Sequence, residues 1–183
     1  MTHPEELVIL LDDAGHEIGT APKSEVHTTQ TPLHRAFSCY LTDGEGNLLL
    51  SRRALSKLTW PGVWTNSFCG HPSPGESDAA AIQRRAREEL GATVSSVEVV
   101  VPDFRYRAVD ASGVVENEIC PVYTAVLTSP LDPDPDEVSE WTWVRASGLG
   151  AALDAAPAVF SPWMQLQFPA LQDAGVFLEG VDR

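Results

Sequence analysis

The residue types best suited to chemistry lie in NSFCGHPSPGES, residues 66–77, where Cys69 stands two positions before His71. A thiol and an imidazole so close can be two metal ligands, or a nucleophile, acid or base. A lone cysteine can equally be a small buried residue. His27 and His34 flank TTQTPL, whose proline opposes a continuous helix and favours a loop that brings the two rings together. In VENEI, Glu116 and Glu118 are two apart on an expected strand. Their side chains therefore share one face, with Asn117 and Ile119 on the other. Adjacent buried carboxylates repel unless a cation or proton joins them. Three imidazoles plus these carboxylates make a site for Zn²⁺, Mn²⁺ or Mg²⁺; the competing reading is scattered surface histidines beside an ordinary acidic hairpin. His3, near the start, and His16, in a turn, are expected in solvent.

The elements that must position these groups come mostly as strand pairs. ELVILLDDAGHEIG reads as strand, turn, strand, and AFSCYLTDGEGNLLLSRR repeats that pattern around DGEGN. VSSVEVVVPDFRYRAV and VVENEICPVYTAVL flank a turn at Asp110–Gly113, and SEWTWV alternates as a strand should. Helices are fewer. SDAAAIQRRAREELG has Ser77 as N-cap, Gly91 as its C′ residue, and Ala79, Ile82, Ala86 and Leu90 as its apolar stripe. ASGLGAALDA is a short helix, and SPWMQLQFPALQDAG starts at Ser161 and Pro162, with Pro169 expected to break or kink it. LDPDPDEVSE, residues 131–140, reads as an acidic surface loop. The fold class is α+β, a mixed or antiparallel sheet with flanking helices, in a single domain over residues 1–183.

The charge balance narrows the ligand. A net charge of −14 disfavours nucleic acid, yet eight of the twelve Lys and Arg residues lie between Arg52 and Arg107. An acidic chain that gathers its cations in one stretch points to a small anion; the plainer reading is solvated faces and helix ion pairs. The apolar run LVILL, residues 7–11, is too short to span a bilayer. Three cysteines without framework spacing fit a reducing compartment. Together these features predict a cytoplasmic chain with no membrane partner.

Reading on from Gly70, Glu76 follows, then Arg84, Arg85, Glu88, Glu89 and Gly91, at spacings that resemble the Nudix box, G-x5-E-x7-R-E-U-x-E-E-x-G-U, with U apolar. In that family helix glutamates hold Mg²⁺ and the ion holds a diphosphate. Here Arg85 stands where the first glutamate of REUxEE belongs, four residues before Glu89 on the same helix face. A cation there weakens a multi-glutamate Mg²⁺ site. It serves either to grip a phosphate or to pair with Glu89 on the surface.

Joined with HTTQTPLHRAFS, SRRALSKLTWPGVWTNSFCGHP, PDFRYRA, VENEICPV and FSPWM in this order, the chain resembles type I isopentenyl-diphosphate isomerases over most of its length. The resemblance implies a Nudix-like fold and conversion of isopentenyl diphosphate to dimethylallyl diphosphate through a tertiary carbocation. It implies His27, His34, His71, Glu116 and Glu118 as ligands of one divalent metal (Zn²⁺, Mn²⁺ or Mg²⁺), and Glu89 as a ligand of a Mg²⁺ that arrives with the diphosphate. Lys23, Arg53, Lys57 and Arg85 are implied as diphosphate-binding cations, Cys69 and Glu118 as the catalytic pair. On that basis Glu118, assisted by Tyr106, protonates the alkene, Cys69 acts as a thiolate base, and Trp163 stabilises the cation; without the resemblance Trp163 reads as a core residue. The partner is a small-molecule prenyl diphosphate and the chain a monomer or weak homodimer. The alternative activity is Nudix-type hydrolysis of a nucleotide or prenyl diphosphate.

Overall fold

A computed structural model describes residues 6–176. His3 lies outside the described residues. The strands are β1 (Leu7–Leu11), β2 (Glu17–Pro22), β3 (His34–Arg35), β4 (Phe37–Thr42), β5 (Asn47–Arg53), β6 (Trp64–Thr65), β7 (Phe68–Gly70), β8 (Val94–Val101), β9 (Arg105–Val109), β10 (Val115–Ile119), β11 (Val122–Leu127) and β12 (Val138–Arg145). The helices are α1 (Lys23–Val26), α2 (Asp78–Leu90), α3 (Ala146–Ala155) and α4 (Pro162–Asp173), with a single 3₁₀ turn at Pro157–Val159. One sheet runs β2-β1-β3-β10-β9; the other runs β12-β5-β4-β11-β8 and carries β6 on β5 and β7 on β4. β3 pairs with β10, and β4 with β11, in parallel, so both sheets are mixed. The α+β expectation holds.

The two sheets share strands that turn a corner. β10 and β11 would be one strand but for Cys120 and Pro121, and β8 is cut from β9 at Pro102. A proline cannot donate to the ladder, so it ends pairing in one sheet and lets the chain enter the next. The hydrogen bonds continue through the corner: Ala36 N–H donates to the Ile119 carbonyl at 2.9 Å and Ser38 N–H to that of Pro121 at 3.1 Å. The long hairpin expected around Asp110–Gly113 therefore exists, but its near half lies in one sheet and its far half in the other.

The hairpin around DGEGN is less regular than its sequence suggests. β4 and β5 pair at Thr42 and Leu48 and then splay apart, and the segment Trp64–Gly70 fills the gap, β6 on β5 and β7 on β4. Ser67 pins the wedge: its Oγ accepts from Leu41 N–H at 2.7 Å and donates to the Leu49 carbonyl at 2.7 Å, so one hydroxyl joins both splayed strands. The larger sheet is covered on both faces. Phe37, Cys39, Leu41 and Leu49 pack with Ile82, Ala86 and Leu90 of α2, and Tyr40, Leu48 and Leu50 pack with Met164, Phe168 and Leu171 of α4. This explains why FSCYL and LLL are apolar without alternation.

α2 starts and stops as expected, with Ser77 Oγ accepting from Ala80 N–H at 3.3 Å and Gly91 in the left-handed region at φ 58°. Its buried stripe uses Ala81 in place of the expected Ala79, which is exposed on the first turn. α4 continues past Pro169 to Asp173 rather than breaking there. Of the 131–140 stretch only the first part is a surface loop, because β12 begins at Val138. A Cβ at Gly91 would stand 2.3 Å from the Asp132 carbonyl oxygen. Gly91→Ala is expected to cost roughly 2 kcal/mol or more, from left-handed strain plus that clash, read as a lower urea midpoint at unchanged slope.

Candidate active site

A cavity of about 550 Å³ opens between the two sheets, and every site residue the sequence singles out lines it except His34, which lies fully buried behind the wall. Strand register sets one side. Glu118 faces Tyr106 across the β10–β9 pair and His34 across the β10–β3 pair, so three functional side chains lie abreast. Glu116 follows on the same face of β10, as the period of two requires. His27 comes from the residue that ends α1, and His71 from the residue after β7. Cys69 sits on β7, opposite Ser38 of β4.

The three imidazoles converge, with ring centroids 5.1, 5.7 and 5.2 Å apart. His27, His34, His71 and Glu118 can each offer a ligand atom within 4.8 Å of the others. Glu116 stands beside this group, 3.1 Å from His27 Nε2. The donor set suits a divalent metal. His34 Nδ1 lies 3.0 Å from the Pro32 carbonyl, which can only accept, so Nδ1 carries the hydrogen and Nε2 offers a lone pair. That lone pair faces Glu118 Oε1 at 3.4 Å, and the buried His34 Nε2 and His71 Nδ1 have no hydrogen-bond partner. Two acceptors facing each other in the interior call for a cation or a proton. Consistently, burial alone would raise the Glu118 carboxyl, but the neighbouring His34 and His71 rings, once protonated, hold it well below the usual range. Burial opposes protonation of His34, yet Glu118 raises it; at His71 burial prevails and lowers it.

His16 is exposed, as expected, and pairs with Asp12. Cys39 and Cys120 are free and buried. Glu89 lies apart from the histidines. It accepts from Arg85 Nε at 2.9 Å and Nη2 at 2.6 Å, so the Arg85–Glu89 pair exists, but buried in the cavity wall and not on the surface. Gly70 makes room for it: a Cβ there would stand 2.8 Å from Arg85 Cγ and 2.9 Å from Phe37 Cζ. The cation-rich stretch is only partly turned inward. Arg53, Lys57 and Arg85 reach the cavity, while Arg52 pairs with Glu140 and Arg84 with Glu76 and Glu88.

Trp163 is both a core residue and a cavity wall. It packs edge-on to Trp60 at 5.5 Å and near Tyr106 at 6.0 Å, and the Arg53 guanidinium carbon lies 5.4 Å from its ring centre. Its indole Nε1 donates to Asn66 Oδ1 at 3.0 Å. Asn66 Oδ1 also accepts from the Cys69 thiol at 3.4 Å, and Asn66 Nδ2 donates to the Cys39 and Phe68 carbonyls. One buried amide thus positions both Cys69 and Trp163. Burial pushes the Cys69 thiol up to about 12, against hydrogen bonds with Ser38 and Asn66 that pull the other way, and the Glu118 and Glu89 carboxylates add to the rise.

The sequence reading missed Thr59, Asn66 and Glu137. Thr59 accepts two Arg53 hydrogen bonds at its carbonyl, at 3.1 and 2.9 Å, and donates its hydroxyl to Glu116 at 2.9 Å. It therefore links an expected phosphate cation to the histidine–glutamate group. Nothing in LTWPG or in the acidic loop marks these roles, because they arise from contacts between distant segments.

The NUDIX domain family model matches residues 32–164. A protein of Clavibacter sepedonicus called isopentenyl-diphosphate Delta-isomerase is 60% identical over 93% of this chain and 90% of its own length. One of the same name from Paenarthrobacter aurescens is 58% identical over 92% of each chain. The chain belongs to the isopentenyl-diphosphate Delta-isomerase family, within the NUDIX fold. The solved structure of DR0079 from Deinococcus radiodurans superposes with a TM-score of 0.70 at 20% identity, covering 90% of this chain and 98% of that one, which supports the fold alone. As a member of the isomerase family, the chain has a NUDIX helix whose Arg85 lies in the cavity wall among Glu88, Glu89 and Glu137. Among the described residues no helix is long and apolar enough to cross a membrane.

Proposed function

We infer that the protein converts isopentenyl diphosphate to dimethylallyl diphosphate. The reading is supported chiefly by one observation: Cys69 from the larger sheet and Glu118 from the smaller one line the same cavity, next to the Trp163 ring. The reaction adds a proton to the terminal alkene carbon, leaving a tertiary carbocation. It then removes a proton from the neighbouring methylene, whose C–H electrons form the new double bond. Such a path needs two proton-transfer groups and a water-poor wall. Tyr106 and Trp163 supply the wall, with Trp60 packed edge-on to Trp163. The Trp163 face, which takes the Arg53 guanidinium, suits a cation, an attraction of about 2 kcal/mol when desolvated.

We assign Glu118, with Tyr106, and Cys69 to the two transfers. Burial favours the proton on Cys69, while the His34 and His71 rings favour an ionised Glu118. A thiol with a carboxylate and a thiolate with a carboxylic acid hold the same single proton, so both arrangements belong to one charge state of the pair. Whichever group gives the proton, the other takes one, and the reverse reaction exchanges them. A divalent ion (Zn²⁺, Mn²⁺ or Mg²⁺) held by His27, His34, His71 and Glu118, with Glu116 beside them, would supply a fixed positive charge that holds Glu118 in place. Lys23, Arg53, Lys57 and Arg85 take the diphosphate, with Glu89 toward the Mg²⁺ that comes with it. Diphosphate hydrolysis is disfavoured, because Arg85 occupies a position where the NUDIX box has a metal-binding glutamate.

Incubation with isopentenyl diphosphate and Mg²⁺ in D₂O, followed by NMR, tests the reading. Deuterated dimethylallyl diphosphate is the expected product; phosphate release without isomer would replace isomerisation with hydrolysis.

A further inference from the structure

This inference rests on the reading of the cavity as a diphosphate site and concerns Glu137. Each of the four cations expected to grip the diphosphate is already engaged. Lys23 Nζ donates to Glu6 at 2.8 Å, Arg53 donates to Thr59, Lys57 Nζ contacts the Glu137 carboxylate, and Arg85 is surrounded by Glu88, Glu89 and Glu137. Glu137 is distinctive because it faces two of these cations from different segments: Lys57 on the loop after β5 and Arg85 Nη2, at 3.4 Å, on α2. Glu89 Oε1 lies 2.6 Å from the same Arg85 nitrogen. The Glu137 backbone is fixed, its N–H donating to the Asp134 carbonyl at 3.0 Å and its carbonyl accepting from Ala54 N–H at 3.0 Å. Its side chain is 22% exposed, so these contacts are shielded more than those of a surface pair.

A phosphate group must compete with Glu137 for both cations. The released carboxylate would then face the incoming anion, a like-charge contact that is costly in a partly buried wall. A divalent cation removes the conflict, since Mg²⁺ prefers one or two carboxylates together with substrate phosphates. We propose that Glu137 is a specificity-determining counter-ion: it occupies Lys57 and Arg85 so that a diphosphate enters well only as its Mg²⁺ complex, the ion taking up the displaced carboxylate while the cations pass to the phosphates.

Inorganic pyrophosphate is the probe, titrated calorimetrically into wild type, Glu137→Gln and Glu137→Asp, each with and without Mg²⁺. Wild type is expected to bind the Mg²⁺ complex about tenfold or more tightly than bare pyrophosphate. Glu137→Gln should bind bare pyrophosphate about tenfold tighter than wild type and lose most of the Mg²⁺ effect, while Glu137→Asp, which keeps the charge, should retain it. Equal affinities and equal Mg²⁺ dependence in wild type and Glu137→Gln overturn the proposal. Wild-type binding indifferent to Mg²⁺ does the same without any variant. The isomerase reading is tested separately by the D₂O experiment, so failure of one is visible apart from failure of the other.

Discussion

Cys69→Ala is expected to lower turnover of isopentenyl diphosphate by about 10³-fold, within the range for loss of a positioned proton-transfer group. The thiol lines the cavity, Ser38 Oγ is 3.2 Å away, and Asn66 Oδ1 accepts from it, so its position is set by buried groups and not by the substrate. Removing one sulfur leaves Asn66 Oδ1 with Thr65 and Trp163 as donors. No buried acceptor is orphaned, and the stability cost should stay near 1 kcal/mol. The signature is therefore a collapse in kcat with nearly unchanged melting and metal content. Cys120→Ala is the matched control, because Cys120 also neighbours Ser38, at 3.4 Å, but does not line the cavity. Turnover within a few-fold of wild type in Cys69→Ala would remove Cys69 from the chemistry.

His34→Ala is expected to weaken metal retention by at least about 100-fold. Loss of groups that merely hydrogen-bond to ligands costs 10–100-fold, and a ligand should cost no less. The residue is 0% exposed and does not line the cavity, so substrate contact cannot account for an effect. Elemental analysis after dialysis against a chelator gives the readout, with a melt in parallel because truncation of a buried ring leaves a void. His34→Gln, which fills more of the space, separates the two causes. Unchanged metal stoichiometry in folded variant protein would sink the ligand assignment.

What the sequence disclosed depended on the range of the physics behind it. Glu116 and Glu118 were legible as a pair because strand alternation is local, and α2 was legible because Ser77 and Gly91 mark its ends. The convergence of His27, His34 and His71 was not: it needs α1, β3 and β7 to meet, and spacing offered a loop argument for only two of them. The corner at Pro102 and Pro121 was present as two prolines, but which sheet each half joins is a tertiary choice. The splaying of β4 from β5 was hidden because DGEGN is a sound turn, and nothing nearby announces that Trp64–Gly70 will enter the gap. The resemblance implies Cys69 as a thiolate base; the fold buries its sulfur, and the Glu118 and Glu89 carboxylates, distant in sequence, raise its thiol further. Glu137 was read as part of a solvated loop because its partners lie 52 and 80 positions away.

The wedge pinned by Ser67 has a consequence for motion. Proton-transfer residues are commonly borne on loops that fluctuate independently of their scaffold, whereas Cys69 lies in a strand stitched between two core strands. Exposing its neighbours to solvent means parting Leu41 from Leu49, which approaches global unfolding. Amide exchange at Phe68–Gly70 should thus be as slow as at the centre of β4, while the rim that carries Lys57 exchanges quickly. The cavity would then combine a stiff floor at Cys69 with a more adaptable rim at Lys57.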